Sequence, residues 1–121
     1  MGSERGMTTE TLPAPIEITT PILPSEAMRL GCLLSPRQEF GNYFGEGRDT
    51  SSSCALGAMR LGYGDDHLAT MVAEERIIDM VGSSPCHLCG EPDMEAWPPH
   101  LNDEHRWTRE AIADYLAERG L

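Results

Sequence analysis

Four residues near the C-terminus constrain this chain more than any other feature: Cys86-x2-Cys89, an interval of ten residues, then His100-x4-His105. Two thiolates on a tight turn and two imidazoles close together in sequence supply the donor types, and the number of donors, that close a tetrahedron around Zn²⁺. The spacing therefore predicts one structural zinc ion held by Cys86, Cys89, His100 and His105. Gly90, Glu91 and Pro92 follow the second cysteine directly, which suits a knuckle turn rather than the helix N-terminus that a redox dithiol wants. A redox pair and two plain buried thiols are the alternatives, and the finger-like placement of the two histidines favours the metal.

A chain of 121 residues makes one domain, with a modest core for which a metal staple is useful. The expected division is an irregular tail over residues 1–24 and a small helical domain over 25–121, whose segment 85–121 carries the zinc knuckle. The tail holds Pro13, Pro15, Pro21 and Pro24 and shows no helical period, with a hint of an edge strand at Ile16–Thr20. Met7 is a second candidate for the natural start. Charge is lopsided: twenty acids face nine bases, all of them arginine, for a net charge of −11. Such a surface repels phosphate, and no Lys/Arg run of the kind that binds nucleic acid or anionic lipid is present. With a metal-like cysteine spacing and nothing resembling a secretory signal, the expectation is a reducing, cytoplasmic setting. No apolar run approaches membrane-spanning length.

Helix signals punctuate the rest. Ser25 reads as an N-cap for a helix over about Glu26–Leu34, with Ala27, Leu30, Cys32, Leu33 and Leu34 as its apolar face. Ser35, Pro36 and Gln38 have the form of a new helix start, good for a turn or two before Gly41. Gly41–Ser53 reads as a loop whose Tyr43 and Phe44 tuck back onto the core. A helix over Cys54–Leu61 and a longer one over His67–Val81 follow, the latter capped by Asp65 or Asp66 and stopped by Gly82. Leu68, Met71, Val72, Ile78 and Val81 would form its buried face. The pentapeptide AMRLG occurs twice, at Ala27–Gly31 and Ala58–Gly62. Two copies fall short of a repeat array, so the echo reads as coincidence or, at most, as two similar packing helices.

The last helix is the best determined. Thr108 is its N-cap, Trp107 can staple onto Ile112, and Gly120 ends it. His87, inside the knuckle, is expected to point to solvent, His67 to be a surface residue, and Cys32 and Cys54 to be buried, inert thiols. A DNA-reading finger is disfavoured because Pro98 and Pro99 precede the first histidine where the reading helix would lie, and Asp103 and Glu104 would repel phosphate. The run HLNDEH resembles the ββα-metal nucleases, but spending both histidines on zinc would leave neither a base nor an open coordination position.

The segment HLNDEHRWTREAIADY behind Cys-x2-Cys-Gly resembles small bacterial and phage proteins of unassigned function. The likeness extends over SEAMRLGCLL (Ser25–Leu34) and SCALG (Ser53–Gly57), and it implies a compact zinc-associated module with no reaction attached. The fold expected is mainly α: a small single domain of four or five short helices with a two-Cys, two-His zinc knuckle near the C-terminus. Three functions follow as expectations. The first is a non-enzymatic interaction or regulatory module with a protein partner. The second is an HNH-like metal-dependent nuclease or hydrolase, and the third an acidic mimic of nucleic acid that inhibits a DNA-binding protein.

Overall fold

The computed structural model describes residues 22–81 and 84–121. Residues 1–21 of the expected tail, the hint of a strand at Ile16–Thr20 and the stop at Gly82 lie outside the described residues, while Leu23 and Pro24, assigned to the tail, instead cap and open the first helix. Five helices and a small sheet follow in the order α1 (Pro24–Leu34), β1 (Arg37–Gln38), β2 (Phe44–Gly45), β3 (Asp49–Ser53), α2 (Ala55–Gly62), α3 (His67–Val81), α4 (Pro98–Asp103) and α5 (Arg109–Ala117). The chain is thus largely helical, as its sequence suggests, with a sheet that it does not announce.

At the centre, α1 and α2 pack against one another more extensively than any other pair of elements. The doubled pentapeptide is the reason. A Cβ placed on Gly31 would lie 1.7 Å from the Ala58 carbonyl oxygen, and one on Gly62 would lie 1.8 Å from that of Ala27. Ala27 thus faces Gly62 while Gly31 faces Ala58, so the helices run antiparallel with the same Ala-x3-Gly edge presented by each. Small residues let the backbones approach until they touch, and Met28 and Met59, at matching places in the two copies, are fully buried beside the seam. The repeat is therefore two packing helices, and they pack on each other. A seam of small residues also corrects the expected face of α1. Ala27, Met28, Gly31 and Cys32 are buried, whereas Leu33 is 81% exposed and Leu30 and Leu34 also face water.

Helix α1 begins two residues earlier than its Ser25 signal implies. Leu23 is the N-cap, Pro24 takes the first helical position, and the Glu26 carboxylate accepts from the Leu23 N–H at 2.8 Å. Ser25 is instead buried inside the first turn, where its N–H donates to the Leu121 carbonyl at 2.8 Å. Helix α5 packs on α1, and Ile112, Leu116 and Leu121 complete the core with Leu101 and Ile77.

The expected turn of helix after Ser35 is a strand. Arg37 and Gln38 pair parallel to Ser52 and Ser53, and Phe44 and Gly45 pair antiparallel to Ser53 and Asp49 with a shifted register, giving the strand order β1-β3-β2. Tertiary bonds override the local helix signal here: the Gln38 side-chain amide donates to Asn102 Oδ1 and to the Trp107 carbonyl, both at 2.8 Å. The stretch expected to be a loop therefore holds a hairpin. Phe44 is buried as expected, but Tyr43 is 41% exposed, its hydroxyl donating to Glu74.

Helix α3 keeps its expected bounds and its Asp66 cap, whose Oδ1 accepts from the Ala69 N–H at 3.1 Å. Its buried face is different from the one expected. Thr70, Ala73 and Ile77 turn inward, while Leu68, Met71, Val72 and Ile78 are exposed. Among the described residues no helix is long and apolar enough to cross a membrane.

Candidate metal centre

Between α3 and α5 the chain has little regular structure, and it is here that the four predicted donors meet. Cys86, Cys89, His100 and His105 place one ligating atom each within 4.8 Å of one another. Cys86 Sγ lies 3.6 Å from His105 Nε2, Cys89 Sγ 3.4 Å from His100 Nε2, and the two Nε2 atoms are 3.2 Å apart. A tetrahedral ion with bonds of about 2.3 Å to sulfur and about 2.0 Å to nitrogen needs edges of roughly 3.3–3.8 Å between its ligands. Three of the six edges match that requirement and all lie within 4.8 Å, so the four donors form a set that a metal ion can draw together.

Local backbone geometry sets the two cysteines. The Gly90 N–H donates to the Cys86 carbonyl at 2.8 Å and the Cys86 N–H to the Glu91 carbonyl at 2.9 Å, closing a tight knuckle. Gly90 sits at φ +77°, a conformation that favours glycine. The Leu88 N–H donates to Cys86 Sγ at 3.4 Å, which orients the sulfur within the knuckle. Cys86 is buried and Cys89 exposed, so the centre has an inner and an outer sulfur.

The histidines are placed by α4 and by the turn that leaves it. Trp97 caps the helix, Pro98 and Pro99 open it, and His100 follows in the first turn. Helix α4 is too short to carry both histidines: it ends at Asp103, and His105 lies just beyond. There the Glu104 N–H bonds back to the His100 carbonyl, and Arg106 at φ +58° turns the chain away. The two rings stand edge to face with centroids 4.8 Å apart, each presenting Nε2 to the cluster. Asp93, Ala96 and Arg106 all hold left-handed φ within this one segment. Each costs on the order of 1 kcal/mol and persists only where surrounding bonds over-determine the backbone.

Two sets of side-chain bonds tie the centre to the body. Asn102, fully buried between the histidines in sequence, accepts from Gln38 and from the Ala55 N–H and donates to the Glu39 carbonyl and to Asp103. It thereby fixes α4 to β1 and to the start of α2. On the other side, Tyr115 of α5 donates to Glu95, its hydroxyl lies 2.9 Å from His87 Nδ1, and Arg119 covers its ring at 3.6 Å. Burial, reinforced by the Glu95 carboxylate, pushes the Tyr115 hydroxyl up to about 12. His87 is exposed but does not point freely to solvent: it stacks on Tyr115 at 5.3 Å, a contact that the knuckle spacing alone could not reveal.

The remaining candidates stand apart from the cluster. His67 is exposed and lies 3.5 Å from an Arg60 nitrogen. Cys32 is buried, and that burial pushes its thiol up to about 11. Cys54 is the N-cap of α2, its sulfur accepting from the Gly57 N–H, and burial raises its pKa too. Both are poor nucleophiles in these settings. A cleft of about 430 Å³ opens onto the outer side of the centre, lined by Cys89, Met94, His100 and His105 with the acids Glu91 and Glu104.

Compared with known proteins, the chain matches no family model, no curated protein and no solved structure.

Proposed function

We propose that this chain is a small acidic interaction or regulatory module whose zinc ion is structural. One observation carries the reading: all four donors converge on a single point, with both histidine Nε2 atoms directed at it. Two thiolates and two imidazoles neutralise a divalent ion and fill its tetrahedron, the arrangement of structural rather than catalytic zinc. A hydrolase built on HLNDEH would need one histidine free as a base or one coordination position for water. Here Asn102, too, is committed to four structural bonds, and Glu91 and Glu104 line the approach where a phosphate would have to enter. The zinc supplies cohesion: it holds the knuckle and α4 in the one arrangement that lets Asn102 and Tyr115 reach their partners.

A second reading, an acidic decoy of nucleic acid, is favoured by the net charge of −11. It predicts attachment to a basic protein that weakens steeply with salt, and an affinity flat between low and high salt counts against it.

The first reading is tested by metal analysis of the full chain prepared without chelators or metal resins, paired with incubation on DNA and RNA in Mg²⁺ or Mn²⁺. We expect about one equivalent of zinc, and its loss in Cys86→Ser. Cleavage of nucleic acid that disappears in a still-folded His100→Ala variant would overturn the proposal in favour of catalysis.

A further inference from the structure

We propose that the outward face of α3, with the cleft at its N-terminal end, is a docking surface for a basic amphipathic helix of another protein. The inference rests on the module reading and gives that module its partner's chemistry. Helix α3 is fifteen residues long, about 22 Å at 1.5 Å per residue. It touches the body along a narrow line of Thr70, Ala73 and Ile77, chiefly against α2. On the opposite side Leu68 is 69% and Val72 59% exposed, and Met71 and Ile78 stand beside them. A solvent-facing side that carries four large apolar residues is the pattern of an interaction surface. Next to it lies a cleft of about 320 Å³ formed by Ile22, Pro24, Tyr63, Leu68 and Val72, able to accept one large apolar side chain, with Asp66 and Arg76 at its edge.

Charge selects the occupant. Glu75 and Asp79 are exposed and, at 100° per residue, share the outward line of Leu68 and Val72. Arg76 is the one cation of α3, against Glu74, Glu75 and Asp79. A second copy of this chain would bring Glu75 and Asp79 toward their own kind, and an anionic lipid surface would be repelled. A helix with apolar anchors at i, i+3 or i+4, and i+7, flanked by Lys or Arg, satisfies both the apolar row and the acids.

The test uses the full chain and a fluorescein-labelled synthetic helical peptide with leucines at that spacing and lysines elsewhere, alongside a counterpart with glutamates in place of the lysines. Anisotropy should show binding of the lysine peptide only. The double variant Leu68→Glu/Val72→Glu should abolish it, and Glu75→Lys/Asp79→Lys should weaken it by about tenfold at low salt. Unchanged zinc content and melting temperature would show these surface variants still fold. Binding should also persist in part at high salt, which a purely charge-driven decoy would not show. Equal binding of both peptides, or indifference to the Leu68/Val72 pair, overturns the proposal. So does a dimer in light scattering that the same pair dissociates, or peptide binding seen only once residues 1–21 are removed, because the face is then filled by a second copy or by the chain itself. If the lysine peptide fails while zinc is retained and no catalysis is found, the docking face alone is wrong and the module reading stands.

Discussion

The α1–α2 pair and the segment from Ser84 to His105 touch where α2 meets α4, yet they are held by opposite means. The helix pair is made by subtraction: glycines at 31 and 62 remove the side chains that would keep two backbones apart, and close packing does the rest. The ligand segment has one short helix, two left-handed non-glycine residues and few buried apolar groups of its own. It is fixed by what converges on it: four donor atoms on one side, and Asn102 and the Glu95–Tyr115 contact on the other. One region should therefore survive loss of the ion and the other should not.

The largest effect expected is that of removing the ion, by a strong chelator or by Cys86→Ser. The ligand segment should then loosen at a cost of about 4 kcal/mol or more, the scale of losing a structural metal. Trp97 and Trp107 lie in or beside that segment, so tryptophan fluorescence should change while far-UV circular dichroism retains most of its helical signal. If the helical signal collapses with the fluorescence, the two regions are one cooperative unit and the contrast fails. The reciprocal experiment is Gly31→Val, which drives a side chain into the Ala58 carbonyl. We expect a loss of roughly 3 kcal/mol and a fall in melting temperature of more than about 10 °C, with zinc still bound below the transition. Asn102→Ala sharpens the boundary between the regions. It leaves the buried Ala55 N–H and the half-buried Glu39 carbonyl without their Asn102 partner and should cost about 2 kcal/mol by denaturant titration, with zinc content unchanged.

A smaller effect tests the core by pH. Burial raises Cys32 from 9.0 in the unfolded chain to about 11, so the folded state favours the neutral thiol. That contribution is complete below pH 9 and is lost as pH rises toward 11. Melting temperature should therefore decline over this window, and less so in Cys32→Ala; equal slopes in both proteins would contradict the assignment. Smallest of all is Arg29–Asp114, 2.5 Å apart but with both side chains largely exposed. Asp114→Asn should change stability by less than about 1 kcal/mol, and less still in high salt.

Sequence was most informative where one residue type carries its own chemistry. The four donors could be picked out by identity and spacing, Thr108 caps α5 through its own hydroxyl at 3.1 Å from the Ala111 nitrogen, and α3 keeps the bounds expected of it. It was least informative about faces. Counting large apolar side chains placed Leu33 and Leu68 in the core, whereas the buried seams are built from Ala27, Gly31, Thr70 and Ala73. Small residues carry weak hydrophobic signals, and what makes them matter is the helix on the other side. The sheet was illegible for a related reason: two-residue strands and the polar run Asp49–Ser53 show no alternation, and their pairing is set by distant contacts such as Gln38 with Asn102.

The reciprocal Ala-x3-Gly edge has one more consequence. Because each helix presents the same shape to the other, the seam itself cannot tell α1 from α2, and two identical helices would fit as well. Identity must come from the ends, where the copies differ: Arg29 reaches Asp114 while its counterpart Arg60 holds Asp65, and only α1 receives the Leu121 carbonyl at its Ser25 N–H. The seam supplies adhesion and the periphery supplies the address.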